Sequence, residues 1–152
     1  SMTKFYALPG LRVGYAAATR ITARRLQRQL PPWSVSAMGQ VAALAAVNDA
    51  AHACKSLRFM ARERDRLRAL LVALPGCVVM PTHANYFLVE LPRGWHARDI
   101  TEELRRRGLL IRDCSSVPGT NLRSIRLAVR TVQDNHKLIQ ALSQLLQQGV
   151  SS

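Results

Sequence analysis

With 152 residues, 48% of them hydrophobic and 20% charged, the chain can bury a real core, which excludes a disordered polypeptide. Its net charge of +13 is almost all arginine, with Lys only at 4, 55 and 137, no lysine-rich tail and no aromatic residues interleaved with the basic ones. That distribution reads as solvated helix faces plus arginines for anionic small molecules, and against nucleic acid. Cys54, Cys77 and Cys114 are odd in number and far apart, and His52, His83, His96 and His136 stand alone, so the expectation is reduced thiols in a cytoplasmic protein without a metal site.

The first fifteen residues concentrate the chemistry. Ser1 and Thr3 place two hydroxyls just before Lys4, and Arg12 follows eight residues later. Pro9-Gly10 makes a turn between them, and Gly14 permits a close backbone approach. A lysine amine held in a pocket forms a Schiff base with a carbonyl compound. Hydroxyls and a guanidinium beside it suit a phosphate on that same compound. An aldehyde that carries a phosphate describes pyridoxal phosphate.

Residues 12–18 read as a short buried strand, with Gly14 at a close approach. Thr19 to Leu30 reads as a helix capped by Thr19 or Thr22, with Ile21, Leu26 and Leu30 on its apolar side, and Pro31-Pro32 ends it. Trp33 reads as a packing residue. A second helix, from about Ser36 to Asn48, has the Ala and Gly content of a tightly packed element. Its Ala-rich run from Val41 to Val47 is too short to span a bilayer. A long helix from Ala50 to Leu74 sets Leu57, Met60, Leu67, Leu71 and Leu74 near one face. Arg62, Glu63, Asp65, Arg66 and Arg68 form a solvated face opposite.

After Pro75-Gly76 the pattern changes to a smaller domain. It reads as strands over 77–80, 85–91, 109–113 and 123–129, and helices over 97–107 and 132–147. Gly108 suits the end of the first of these helices, and Thr131-x-x-Asp134 resembles a capping box opening the second. Arg112 lies at a strand end that opens into a Gly/Pro loop. Arg126 lies between Ile125 and Leu127, where burial is costly unless an anion meets the charge. An ion pair or an outward-facing strand position would equally explain it.

The register S-x-T-K-x-x-x-x-x-G-x-R-x-G-Y over residues 1–15 resembles the cofactor-lysine segment of fold-type I pyridoxal-phosphate enzymes, the aspartate aminotransferase superfamily. Asn85-Tyr86-Phe87, Gly108 to Asp113 and Ile125 to Thr131 are similar to the C-terminal domain of histidinol-phosphate aminotransferases. Residues 4–12, Pro31-Pro32-Trp33-Ser34-Val35 and Arg112-Asp113-Cys114-Ser115 look closer to the threonine-phosphate decarboxylases of cobalamin synthesis.

The resemblance implies an α/β C-terminal fragment of such an enzyme. Residues 1–48 would end the large cofactor domain, and residues 49–152 would form a small α+β domain. It also implies Lys4 as the catalytic lysine and Ser1, Thr3 and Arg12 as partners of pyridoxal 5'-phosphate. Arg126 would meet the substrate α-carboxylate and Arg112 the phosphate of a phosphorylated amino acid. The carboxylate partner of the pyridine nitrogen is expected upstream of Ser1. The complete enzyme is expected to be a homodimer, with neither nucleic acid nor membrane as partner. Two alternatives stay open: transamination of a histidinol-phosphate type of substrate, and a non-catalytic truncated domain or basic interaction module.

Overall fold

The computed structural model describes residues 2–148, so the role expected of Ser1 lies outside the described residues. In chain order the elements are α1 (Arg20–Gln29), α2 (Ala37–Asn48), α3 (Ala50–Val72), β1 (Val78–Val79), β2 (Tyr86–Glu90), α4 (Ala97–Arg106), β3 (Arg112–Asp113), β4 (Ser124–Ala128) and α5 (Val132–Gln148). The chain divides into two compact units between Leu57 and Arg58, inside α3 and later than the expected boundary after residue 48. The first turns of α3 fall with the first unit because His52 packs against Phe5 and Tyr6.

The second unit is built on a four-stranded antiparallel sheet of order β1-β2-β4-β3. Alternation along the strands sends Phe87, Val89, Ile125 and Leu127 to one face, each at most 1% exposed. Leu67 and Leu71 of α3, Ile100 and Leu104 of α4, and Leu142 and Leu146 of α5 join them in one core cluster. Burial of each such side chain stabilises by about 1.5–3 kcal/mol, so this unit owns its core. β3 is shorter than the 109–113 expected. The N–H groups of Gly108 and Leu109 are still engaged by the carbonyls of Arg105 and Leu104 at the end of α4, and Gly108 turns the chain at φ 74°. Strand pairing therefore begins only at Arg112.

Two readings of α3 are corrected. Leu57 is 61% exposed rather than on the buried face. Glu63, expected among solvated charges, is 6% exposed, because the spacing of 63, 67 and 71 puts it in line with two core leucines. It accepts hydrogen bonds from Arg66 Nε at 3.0 Å and from Asn135 Nδ2 at 3.0 Å. Arg66 also donates to the Val132 carbonyl, and Asn135 bridges the N–H and C=O of Arg130. The Arg66 guanidinium and the Asn135 amide hold the Glu63 carboxyl below its ordinary value, against the opposing effect of burial. The expected capping box is half made. Thr131 Oγ1 accepts from Asp134 N–H at 3.2 Å, while the Asp134 carboxylate turns to Arg130 Nε at 3.5 Å.

In the first unit α1 and α2 form as the caps predict, with Thr19 Oγ1 accepting from Thr22 N–H and Ser36 Oγ from Gly39 N–H. The strand expected over 12–18 does not form: residues 13–19 carry no ladder, and residues 14–19 are exposed. A strand needs a neighbour for its N–H and C=O groups, and among the described residues the backbone partner of this segment is a single bond, Met2 N–H to the Val13 carbonyl, which makes no ladder. Trp33 is 95% exposed with φ 59°, so it is not a packing residue within this unit. α2 is apolar on all sides, yet Met38, Val41, Leu44 and Val47 are each more than half exposed.

Candidate active site

The lysine-bearing segment is a closed loop. Met2 N–H donates to the Val13 carbonyl at 3.3 Å, and both side chains are buried. Lys4 thus sits two residues inside one end of the loop and Arg12 one residue inside the other. Ala7 N–H donates to the Lys4 carbonyl at 3.2 Å, closing a turn over residues 3–6. A second turn covers 9–12, where Arg12 Nη1 donates to the Pro9 carbonyl at 3.4 Å. Gly10 bends this turn without a positive φ; the left-handed residues are Ala7 at 51° and Arg12 at 48°. Each such non-glycine residue costs on the order of 1 kcal/mol and persists only where its surroundings impose it.

α2 supplies the floor of the second turn. A Cβ on Gly39 would lie 3.2 Å from Ser36 Oγ, a tight contact, and 3.4 Å from the Leu11 carbonyl, so the helix runs close against the turn here. The tight packing expected of α2 is therefore real at Gly39 and absent from most of the helix. Lys4 is exposed and its ammonium makes no hydrogen bond or ion pair among the described residues; Thr3 is half-buried and Arg12 exposed. An amine, a hydroxyl and a guanidinium held in one loop fit an aldehyde that carries a phosphate. Beside the loop an open cavity of about 670 Å³ is lined by Met2, Val13, Tyr15, Trp33, Val35 and Leu44 among others.

The two arginines of the second unit lie on the sheet. Arg126 alternates outward while Ile125 and Leu127 enter the core, so it is not the buried charge its flanking residues suggested. Its guanidinium lies 5.1 Å above the Tyr86 ring. Arg112 is its direct cross-strand partner across β3 and β4 and is also exposed. Among the described residues neither arginine forms an ion pair. The adjacent Asp113 carboxylate is instead committed to Ser115 N–H at 2.7 Å. Like charges directly opposite in a sheet destabilise it by a few tenths of a kcal/mol or more, and an anion between them reverses the sign. Tyr86 belongs to a motif visible in the sequence, but its contact with Arg126 follows only from the register, which sets Leu88 opposite Arg126.

No cluster of three metal-ligating side chains occurs among the described residues, and no helix is long and apolar enough to cross a membrane. The three cysteines are free thiols, and burial pushes that of Cys77 up to about 11.

Comparison with known proteins places these features. The chain is 37% identical over 147 residues to the threonine-phosphate decarboxylase of Salmonella typhimurium, covering 96% of this chain and 40% of that protein. The histidinol-phosphate aminotransferase of Clostridium acetobutylicum superposes with a TM-score of 0.90 at 26% identity, over 97% of this chain and 44% of the other. That of Sinorhizobium meliloti, solved in complex with pyridoxal-5'-phosphate, matches 97% of this chain and 40% of the other, with a TM-score of 0.80 and 26% identity. The chain thus spans about two fifths of the length of the relatives it matches, and it shares the fold-type I architecture over that portion. The family model for aminotransferases of class I and II matches residues 1–142, and the chain belongs to that family.

Proposed function

We propose that this chain carries the cofactor lysine and the substrate-anion arginines of a pyridoxal-phosphate enzyme that decarboxylates threonine phosphate. The observation that carries the reading is the Arg112–Arg126 pair, two exposed arginines at directly opposite positions of β3 and β4, neither in an ion pair among the described residues. One substrate with an α-carboxylate and a phosphate would neutralise both. The identity with a threonine-phosphate decarboxylase supports this choice of substrate. The TM-score of 0.90 to a histidinol-phosphate aminotransferase supports a second reading, transamination of a phosphorylated amine.

In this reading Lys4, as the neutral amine, would hold the cofactor through its aldehyde carbon, the aldehyde oxygen leaving as water, and Thr3 and Arg12 would hold its phosphate. Arg126 takes the α-carboxylate, with Tyr86 restricting the plane of its guanidinium, and Arg112 takes the substrate phosphate. Pyridoxal phosphate, when bound, supplies an electron sink for the pair left on the α-carbon. The grip of Arg126 on the carboxylate helps decide which α-carbon bond is presented for cleavage. The first unit is then the end of a cofactor domain and the second a substrate domain, in an enzyme assembled as a homodimer.

Product analysis tests the reaction. Phosphothreonine given to an assembled enzyme containing these residues should release carbon dioxide and a phosphorylated amino alcohol. A keto acid with transfer of the amino group would select the transaminase, and loss of neither activity in Lys4→Ala would refute both readings.

A further inference from the structure

His52 occupies the first turn of α3, where its N–H donates to Asp49 Oδ1 at 2.8 Å. From there its ring reaches the lysine-bearing turn, 47 residues earlier in the chain. The imidazole stacks on Tyr6 with centroids 5.9 Å apart and 27° between planes, and it meets Phe5 edge-on at 6.1 Å. Phe5 and Tyr6 are themselves in an edge contact at 4.8 Å. His52 Nε2 lies 3.3 Å from the Phe5 carbonyl and 3.3 Å from Ser56 Oγ. A carbonyl oxygen only accepts, so the contact with Phe5 is a hydrogen bond in the tautomer that carries its hydrogen on Nε2, with Ser56 Oγ then a second acceptor. The peptide planes on either side of Phe5 are therefore both tied, that of Lys4 by Ala7 N–H and that of Phe5 by His52. Together they hold both peptide planes that flank Phe5, the first of which begins at the Lys4 carbonyl, and so stiffen the turn that carries Lys4.

We propose that His52 is a positioning residue for Lys4, bracing the Phe5 carbonyl so that the lysine amine is held out for a phosphorylated aldehyde. The proposal rests on the reading of Lys4 as the cofactor lysine.

Two variants separate the hydrogen bond from the ring stacking. His52→Phe keeps a ring against Tyr6 and loses the donor; His52→Gln keeps an N–H donor of similar reach and loses the ring. The first readout needs no cofactor: hydrogen exchange at the Ala7 amide in the 152-residue chain, with core amides such as Val89 and Leu127 reporting that the fold is intact. Loss of one neutral hydrogen bond should speed exchange at Ala7 by roughly three- to tenfold in His52→Phe, and His52→Gln should restore it to within about twofold. The second readout is borohydride reduction in the presence of pyridoxal phosphate, which fixes the cofactor to whichever lysine holds it. Peptide mass spectrometry then compares Lys4 with Lys55 and Lys137, the other lysines of the chain. The Lys4 share should fall several-fold in His52→Phe and recover in His52→Gln, with Lys55 and Lys137 unchanged.

Unchanged exchange in His52→Phe, or a His52→Gln variant that behaves like it, overturns the brace whatever Lys4 does. Equal fixation on all three lysines in the unsubstituted chain, with the exchange difference intact, overturns the Lys4 role and leaves a brace of the turn alone.

Discussion

Replacing Arg112 by Gln should make the protein slightly more stable and the proposed anion site much weaker. Arg112 and Arg126 face each other across β3 and β4 without an ion pair among the described residues. Like charges at directly opposite positions of a sheet destabilise it by roughly 0.2–1 kcal/mol at a solvated surface. Among the described residues Arg112 makes no ion pair or side-chain hydrogen bond that would offset this, whereas Arg126 has the Tyr86 ring beneath it. Arg112→Gln should therefore raise the free energy of unfolding of the second unit by up to about 1 kcal/mol at low ionic strength. Because a Debye length is only about 8–10 Å at physiological salt and shorter above it, the gain should fade in concentrated sodium chloride. Denaturant titrations with and without inorganic phosphate measure both halves of the expectation. Phosphate should stabilise the unsubstituted chain by mass action and Arg112→Gln far less. A variant destabilised by more than about 1 kcal/mol would refute the reasoning. So would an equal response to phosphate in both proteins.

Glu63→Ala should destabilise the second unit by about 1–3 kcal/mol, since Asn135 Nδ2 loses a partner in a buried position; chemical denaturation checks it. The Glu63 carboxyl lies below its ordinary value of 4.5, chiefly through Arg66. Its contribution is thus fully present above that value and is lost as pH falls through the depressed folded value, and Glu63→Gln should remove this part of the acid sensitivity. Gly39→Ala should crowd Ser36 Oγ and loosen the cap of α2 beside the lysine loop, visible as a modest loss of pyridoxal phosphate retention with the second unit's unfolding midpoint unchanged. The 152-residue chain alone, about two fifths of its relatives' length, should retain the cofactor weakly and turn over neither phosphothreonine nor histidinol phosphate. Cofactor-dependent turnover abolished by Lys4→Ala would contradict this.

The helices were legible because their signals are local: Thr19 and Ser36 cap where a hydroxyl precedes a periodic run, and Gly108 stops α4. Glu63 was misread because a run of charges looks solvated until its spacing to Leu67 and Leu71 is weighed against it. For Arg126 the sequence leaves an anion-met charge, an ion pair and an outward-facing position open, and alternation with period two selects the outward one. The composition of the lysine loop was visible in the sequence, whereas its left-handed residues were not. Ala7 and Arg12 adopt that conformation under tertiary pressure, against their own preference. His52 had no sequence signal, since nothing within a few residues of it points to Phe5.

The uneven distribution of buried side chains gives the two proposed sites different thermal lifetimes. Among the described residues the buried side chains ahead of α3 are Met2 and Val13, joined by the backbone of Gly39, while the sheet unit holds the whole main core cluster. Local opening should therefore reach the lysine loop at a much lower free energy than the strands carrying Arg112 and Arg126. Warming would silence Lys4 while the arginines could still hold an anion. A ligand that grips Lys4, Thr3 and Arg12 acts on the less stable of the two units, and every increment of its binding free energy appears there as protection from opening. For such a loop the cofactor is a structural component as much as a reagent, and cofactor supply sets how long the lysine stays in place.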